Sequence, residues 1–286
     1  MMKPTSLPAL LIAALSGVTL SAATLSAAAQ TGAEPVFHLS CQDGGWSGGR
    51  NSQQACDTRE LTLDAPAGQP LTVDGGTNGG ISVHGWAGTT VRVRARVQAW
   101  GDTEAAAQAQ LQAIKISSQN QTLRAAAPAA AGDPDQHWAV SYELFVPQQT
   151  ALVLHTVNGG ISVEELQAAV RFDAVNGGVS LSRLGGQVAG RTVNGGLSIR
   201  LSGPRWDGAG LDVQTTNGGI TWRLPADYSA RLFTSTEVGG ISTSGNLPIT
   251  KYGLLHREIS TTLGQGGAPL KAVTTNGGIS IKSAGL

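Results

Sequence analysis

Few side chains in this sequence could carry acid–base or metal chemistry, and those few are scattered. Charged residues make up 13% of the chain, and its five histidines lie apart in sequence. None of them forms a cluster with the spacing of a metal site, so we predict no metal ion and no other cofactor. The histidines are His38, His84, His137, His155 and His256.

The carboxylates offer one arrangement with catalytic chemistry. Asp173 and Asp212 fall in the same outward phase of predicted strands, so they could meet across neighbouring repeats. Two facing carboxylates are the machinery of glycosidases. Glu164 and Glu165 are adjacent, so they would point to opposite faces of a strand. We interpret all four as solvated surface. A carbohydrate-active enzyme of the parallel β-helix type is the alternative.

Sequence motifs for other catalytic sites are missing. Serine and threonine are abundant, but no Gly-x-Ser-x-Gly elbow and no phosphate-binding loop occur. We therefore predict that the protein is not an enzyme.

Cys41 and Cys56 are the only cysteines. An even pair in an exported chain suggests a disulfide. The bond would close a short Gly-rich loop and stabilise the fold by about 3 kcal/mol. A metal pair or a catalytic thiol is the alternative. No histidine lies within the loop, and an oxidising compartment disfavours both.

Residues 1–29 have the pattern of a secretory signal peptide. Lys3 gives a positive start, the stretch 7–20 is apolar, and the alanines at 27–29 suit a cleavage site. We expect the mature chain to begin near Gln30 and to be exported to the periplasm, the cell surface or the medium. The mature chain has no apolar run of roughly 18 residues, so we predict no transmembrane segment in it.

The overall charge gives no sign of a polyanionic partner. The chain has 19 acidic and 19 basic residues. This balance predicts no nucleic-acid binding.

One turn recurs through the chain: Asn-Gly-Gly, then an apolar residue and a hydroxyl residue. After the first copy, the spacings are 18, 18, 23, 21 and 38 residues from position 158 onward. The last spacing would fit two repeats of about 19 residues with a degenerate middle turn. The sixth copy has Val238 in place of asparagine. The other copies begin at Asn78, Asn158, Asn176, Asn194, Asn217 and Asn276.

A unit this short must stack on its neighbours to bury a core. We therefore predict an all-β fold: a parallel β-solenoid with about 18–23 residues per coil and one short helix near its N-terminal end. Asn-Gly between alternating strands is also a strong hairpin signal, so an antiparallel sandwich is the alternative. Near-identical flanks at one period favour parallel stacking.

The alternation of residues before each turn predicts which face is buried. Val170, Phe172, Ala174 and Asn176 share the inner phase. We expect the stacked asparagines to be buried and to form a structural ladder, while the glycines supply positive φ. A ligand or ion site is the alternative reading of the asparagines. Calcium-binding repeats place Asp among their glycines, and this sequence lacks it.

Four segments follow from these patterns: a signal peptide at 1–29, a disulfide-closed segment at 30–60, a β-rich entry region at 61–149 and the solenoid at 150–286. The entry region contains a predicted helix over 103–113, capped by Asp102 or Thr103.

A predicted strand at Val91–Val97 carries a cationic stripe on one face. Arg92, Arg94 and Arg96 alternate there with apolar residues. We interpret the stripe as a solvated strand face, and a face for an acidic ligand is the alternative.

These features resemble the bacterial family named "putative adhesins", domains of unknown function that repeat an Asn-Gly-Gly or Asn-Gly-Asp turn. The resemblance covers roughly residues 60–286: the Val91–Val97 strand, the Ala-rich helix, the strand ending at Pro147 and the serial turns. It implies a β-solenoid on the cell envelope, and it brings no catalytic residues.

We therefore predict an exported, non-enzymatic β-solenoid that acts as an adhesin or as a structural or binding module of the bacterial cell envelope. An envelope-stress accessory protein is a further alternative. Expected partners are an envelope polysaccharide or a protein. The last repeat ends five residues before the C-terminus, and its uncovered edge predicts self-association through the C-terminal coil.

Overall fold

The structure is a computed structural model that describes residues 34–42, 52–127, 138–245, 247 and 257–284. The predicted signal peptide lies outside the described residues. Within the described ranges the chain forms strands, one α-helix and one 3-10 turn at Gln119–Gln121. The bounds are β1 (Gln53–Asp64), β2 (Leu71–Asp74), β3 (Ile81–Trp86), β4 (Thr90–Gly101), α1 (Glu104–Ala113), β5 (Lys115–Ser117), β6 (Thr122–Ala126), β7 (Trp138–Pro147), β8 (Leu152–Asn158), β9 (Ile161–Glu164), β10 (Val170–Asn176), β11 (Val179–Ser182), β12 (Gln187–Asn194), β13 (Leu197–Arg200), β14 (Gly210–Asn217), β15 (Ile220–Pro225), β16 (Ala230–Val238), β17 (Ile241–Ser244), β18 (Glu258–Leu263), β19 (Pro269–Asn276) and β20 (Ile279–Ala284).

The strands form two ten-stranded sheets. Sheet A has the order β1-β4-β7-β3-β9-β11-β13-β15-β20-β17, and sheet B has the order β18-β16-β19-β14-β12-β10-β8-β2-β6-β5. One hydrophobic cluster contains the inward side chains of both sheets, including Val83 and Leu181 from sheet A and Leu154 and Val213 from sheet B. The architecture is therefore sandwich-like.

The prediction of a parallel β-solenoid is wrong, because both sheets are mixed. Strands of successive repeats do pair in parallel, with Asn158 opposite Asn176 and Ser162 opposite Ser180. However, β1–β4, β4–β7, β5–β6 and β16–β18 pair antiparallel. The repeat pattern correctly indicated like residues side by side, but it held no information about the strands between and beyond the repeats.

The last repeat lies inside both sheets. Strand β19 pairs with β14 and β16, and β20 pairs with β15 and β17. The long 38-residue spacing therefore contains no extra coil in its described part; β18 folds back antiparallel on β16 instead. Residues 246 and 248–256 of this region lie outside the described residues. Because β20 is covered on both sides, the predicted self-association through an uncovered C-terminal coil loses its basis.

The predicted helix is confirmed as α1. The hydroxyl of Thr103 accepts a hydrogen bond from the Ala106 N–H (3.1 Å) and caps the first turn. Ala107 and Leu111 are buried, and the helix packs on β4 and on the edge strand β1. The guanidinium of Arg59 donates to the carbonyls of Leu111 and Ile114 at 2.8 and 2.6 Å, which satisfies the end of the helix.

Both sheets contain strands from either side of residue 150. The predicted division of the chain at that residue stays a prediction.

The glycines of the repeated turn serve close approach rather than positive φ. None of the glycines in the six Asn-Gly-Gly copies has a positive φ, so that part of the prediction is wrong. A Cβ on Gly177, the first glycine of its turn, would overlap the carbonyl oxygen of Gly159 in the neighbouring turn. A Cβ on the second glycine, Gly178, would meet no atom closer than 3.6 Å.

In five of the seven repeats, a buried threonine forms a hydrogen bond to a neighbouring turn. Two residues before the asparagine, the hydroxyl of Thr192 donates to the carbonyl of Gly177 (2.8 Å), and that of Thr215 donates to Gly195 (2.7 Å). Thr156, Thr236 and Thr274 make the same bond in their repeats. The inward phase therefore ends with these threonines.

Replacing the two glycines of one turn separately tests whether the close contact between turns makes the first glycine necessary. We expect Gly177→Ala to destabilise the fold by about 3 kcal/mol, because the added methyl group strikes backbone that cannot move independently. Gly178→Ala is the matched control and should change stability by less than about 0.5 kcal/mol. Urea unfolding of both variants measures the difference. Equal effects of the two substitutions would contradict the stacking argument.

Two repeats lack the threonine: Gly76 lies two residues before Asn78, and Ala174 lies two residues before Asn176. Ala174 is fully buried and lies in register between Thr156 and Thr192. We expect Ala174→Thr to be more stable than Ala174→Val by about 1 kcal/mol, because only the hydroxyl can donate to the carbonyl of Gly159. Threonine and valine have similar shapes, so the difference in stability between the two variants, measured by thermal unfolding, reports the hydrogen bond. A valine variant as stable as the threonine variant would show that the bond does not form.

Candidate functional site

The outer face of sheet A carries a row of hydroxyls that crosses seven neighbouring strands. Each hydroxyl lies two residues after the second glycine of its repeat, and each is in direct register with the next. At about 4.8 Å per strand, the row is roughly 29 Å long. We call it the hydroxyl row: Ser82, Ser162, Ser180, Ser198, Thr221, Ser280 and Ser242.

A second row runs beside it, two residues further along the same strands. It is in register across the same strands, and it divides into an acidic end with a histidine and a cationic end. We call it the charged row: His84, Glu164, Ser182, Arg200, Arg223, Lys282 and Ser244.

The acidic end is a bonded cluster around His84. Its Nδ1 lies 2.5 Å from a carboxylate oxygen of Glu164, and its Nε2 lies 3.7 Å from Glu143. The ring stacks on Phe145 with centroids 4.9 Å apart. Arg183 pairs with Glu164 at 3.1 Å. The ring nitrogens of His84 thus face carboxylates rather than a hydroxyl that they could activate.

Glu143 anchors an N-terminal segment, residues 34–42, which we call the strap. The carboxylate is 5% exposed and accepts backbone N–H bonds from His38 (2.9 Å) and Leu39 (2.7 Å). Such charge-assisted bonds to a buried carboxylate are stronger than neutral ones. They hold the strap against the outer face of sheet A beside His84.

The arginine stripe of β4 also binds the strap. Arg92 pairs with Glu34 (2.7 Å), Arg94 lies 4.7 Å from the centroid of the Phe37 ring, and Arg96 donates to a carbonyl of the strap at 3.3 Å. The interpretation of this stripe as a solvated face is therefore wrong. Alternation along β4 showed that the arginines point outward, but nothing local showed that a distant segment crosses them.

The predicted disulfide between Cys41 and Cys56 is confirmed. It joins the end of the strap to β1, with the two Cα atoms 5.9 Å apart. Its loop spans 15 residues, which corresponds to about 3 kcal/mol of stabilisation in the chain-entropy account. The strap is thus fixed covalently at one end and by hydrogen bonds at its centre.

A cleft of about 710 Å³ opens between the strap and the hydroxyl row. Its walls include His38, His84 and Arg96 on the charged side and Ser82 and Ser162 on the row. This volume is typical of a small-molecule site. The cleft leads directly onto the open part of the hydroxyl row.

Tyr142 also borders the cleft and is itself buried. Burial raises the pKa of its phenol well above the ordinary value, and the charge of Asp74 raises it further. The phenol therefore stays neutral in any physiological medium.

The cationic end of the charged row has a different character. Arg200 and Lys282 are exposed, and Arg223 between them is half-buried. Arg223 lies 3.4 Å from the hydroxyl of Ser198, which ties the two rows together. The ion pairs between described residues include none of these three cations.

The outer face of sheet B instead neutralises several of its charges. Arg191 pairs with Asp173 at 2.8 Å and Lys271 with Asp212 at 3.4 Å. Strand β12 lies between the strands of the two aspartates, so the backbones of those strands are roughly 9.6 Å apart, and each carboxylate pairs with its own cation. The expectation that they could meet as a catalytic pair is wrong.

The asparagines lie in a column at the turns. The Nδ2 of Asn176 donates to Oδ1 of Asn158, and that of Asn194 donates to Asn176, each at 2.8 Å. Asn217 and Asn276 extend the column. These side chains are exposed, so the expected burial is wrong: the alternation ends where the chain turns. At the other end, Asn78 accepts from Asn158 at 3.1 Å.

The sequence contains a signal for the charged row, which the prediction above did not include. His84, Glu164, Arg200, Arg223 and Lys282 all occupy the sixth position after the first residue of their turns. A repeat that places hydroxyls side by side must also place these residues side by side. Glu143 has no such signal, because β7 belongs to no repeat and reaches β3 through the tertiary fold.

The described residues contain neither a candidate metal site nor a helix that could span a membrane. No group of three His, Cys, Asp or Glu side chains there is placed to hold a metal ion. The one described α-helix has 10 residues, and no described helix has the length and apolarity to cross a bilayer.

Comparison with known proteins gives only distant likenesses. No family model and no curated protein matches the sequence. A "putative cell adhesion protein" from Clostridium sporogenes aligns with 80% of this chain and 100% of its own, at 11% identity and a TM-score of 0.45. A "putative adhesin" from Bacteroides fragilis and a "putative lipid binding protein" from Parabacteroides distasonis each align with 80% of this chain and 97% of their own, at 11% identity and TM-scores of 0.36 and 0.32. Likenesses at these values do not assign a function to this chain.

The structural role of the asparagine column is testable at its centre. We expect Asn194→Ala to lower the free energy of unfolding by about 1 kcal/mol, because it removes two amide hydrogen bonds from an exposed site. Gln214→Ala, which removes an exposed amide from the outer face of sheet B, is the control. Chemical denaturation of both variants gives the comparison. If the Asn194→Ala protein is as stable as the control variant, the asparagine column does not stabilise the fold.

Proposed function

We propose that the protein is a non-enzymatic binding module of the bacterial cell envelope, and that it binds an extended polar ligand on the outer face of sheet A. The hydroxyl row carries this proposal. A row in register over seven strands offers the same hydrogen-bonding groups at a constant interval. A regular polymer is the ligand that can use such an array along its length.

The neighbouring cleft offers a site where one end of the ligand would bind. It is bounded by the strap, which the Cys41–Cys56 disulfide and Glu143 hold in place. A preformed wall reduces the ordering cost of binding. The ligand would enter beside His84 and continue along the serines of the row.

The envelope location rests on the disulfide and on the predicted signal peptide. Disulfides persist in oxidising compartments outside the cytoplasm. The family resemblance of the sequence points to the same place.

The enzymatic alternative has lost its candidate residues. Asp173 and Asp212 are held in ion pairs on the outer face of sheet B. They lie on a different sheet from the cleft and the hydroxyl row.

A binding screen with one matched pair of variants tests the proposal. The chain from Gln30 onward is assayed against immobilised neutral and acidic polysaccharides. We expect at least one to bind, and we expect replacing Ser162, Ser180 and Ser198 with alanine to weaken binding at least tenfold, since each lost hydrogen bond contributes roughly 0.5–1.5 kcal/mol.

The control variant removes three hydroxyls from the outer face of sheet B. Thr216, Ser235 and Thr275 are replaced by alanine, and binding should stay unchanged. The absence of binding to any polymer, or an equal loss in both variants, would refute the proposal.

A further inference from the structure

Three like charges lie side by side at the cationic end of the charged row. Arg200 is in register with Arg223, and Arg223 with Lys282. Neighbouring strands place these positions about 4.8 Å apart. Like charges directly opposite each other on adjacent strands destabilise a sheet. Folding alone therefore does not account for this arrangement.

Among the described residues, no acid lies within ion-pair distance of Arg200, Arg223 or Lys282. The nearest acids along the charged row, Glu164 and the neighbouring Glu165, are already paired with Arg183. Sheet B shows that this fold can pair a cation with an acid across strands, as Arg191 and Asp173 do. The three cations of sheet A remain available to an external anion.

We propose that Arg200, Arg223 and Lys282 bind the acidic groups of an anionic polysaccharide whose hydroxyls contact the hydroxyl row. This inference rests on the proposed function and names the class of its ligand. A guanidinium binds a carboxylate or a sulfate through paired N–H groups. The adjoining hydroxyls Ser198, Thr221 and Ser280 lie two residues away on the same strands.

The position of the charges also gives the ligand a direction. The acidic end, with Glu143 and Glu164, lies beside the strap, and the cationic end lies two to four strands beyond β9, the strand of Glu164. An acidic polymer is attracted at the cationic end and repelled at the other. Its charged units should therefore lie over β13, β15 and β20.

A polysaccharide fits this surface better than a membrane does. The large apolar side chains that are exposed in the described part of the chain are Val36 and Val238. Val36 belongs to the strap and Val238 to sheet B, so neither lies at the cationic end of the charged row. A membrane-binding face would combine cations with inserted apolar groups.

The test compares two double variants with the same change of charge. Arg200→Gln with Lys282→Gln removes two cations from the cationic end. Arg124→Gln with Arg171→Gln removes two exposed cations from the outer face of sheet B. Affinity for polygalacturonate and for dextran is measured by titration calorimetry at low and at raised salt, and melting temperature is recorded for each protein.

We expect polygalacturonate to bind wild type, to bind the sheet B variant about equally, and to bind the sheet A variant at least tenfold more weakly. Binding should weaken as salt rises, because exposed charges are screened. The sheet A variant should melt at the same temperature as wild type or higher, because its substitutions relieve repulsion. A lower melting temperature would contradict the argument that the cations repel one another.

Other outcomes overturn the inference in distinguishable ways. If dextran binds as well as polygalacturonate and only the serine variant loses affinity, the proposed function stands and the anionic ligand class is refuted. If neither polymer binds, the anionic ligand class is refuted, and the proposed function fails as well if no other polysaccharide of the screen binds. An equal loss in both double variants would show attraction by net charge alone. Binding to phosphatidylglycerol vesicles but not to polygalacturonate would replace the polysaccharide with a membrane surface.

Discussion

Each Asn-Gly-Gly turn lies against the next at a distance that leaves no room for a side chain on its first glycine. A Cβ on Gly195 or on Gly218 would overlap the carbonyl oxygen of the neighbouring turn. Buried threonines donate to those same two carbonyls, so these turns are held by a hydrogen bond on the inside as well as by the stacking of backbone. This contact fixes the register of the parallel strands. The rows on the outer face follow from it, because one register aligns every position of the repeat.

The two outer faces use this alignment differently. On sheet B the aligned positions bring opposite charges together, as in the pair of Arg191 and Asp173. On sheet A they bring hydroxyls together in one row and like charges together in the next. A face whose charges pair with each other offers few charges to a binding partner. The hydroxyls and cations of sheet A can still form hydrogen bonds and ion pairs with a partner. The asymmetry between the faces is the physical basis for our proposal that the binding surface lies on sheet A.

The strap gives sheet A a boundary. Buried Glu143, three arginines of β4 and a disulfide hold a short segment that belongs to neither sheet. It covers the antiparallel end of sheet A and leaves the parallel end open. The cleft beside His84 is where the covered part meets the open part. The ionisable groups of this end are engaged with one another, and those of the far end are not.

The sequence by itself determined the local and periodic features: the strands that precede and follow the repeated turns, the helix at Glu104–Ala113, the inward phase of Val170 and Phe172, and the alignment of Ser162 with Ser180. These depend on alternation and on a repeat, which are properties of short stretches of chain. Only the tertiary structure decided that β20 enters between β15 and β17, that the strap crosses β4, and that Glu143 meets His84. Those contacts join segments that no shared period relates. Their pairing is selected by burial of the whole core, a sum over both sheets that no single stretch of sequence contains.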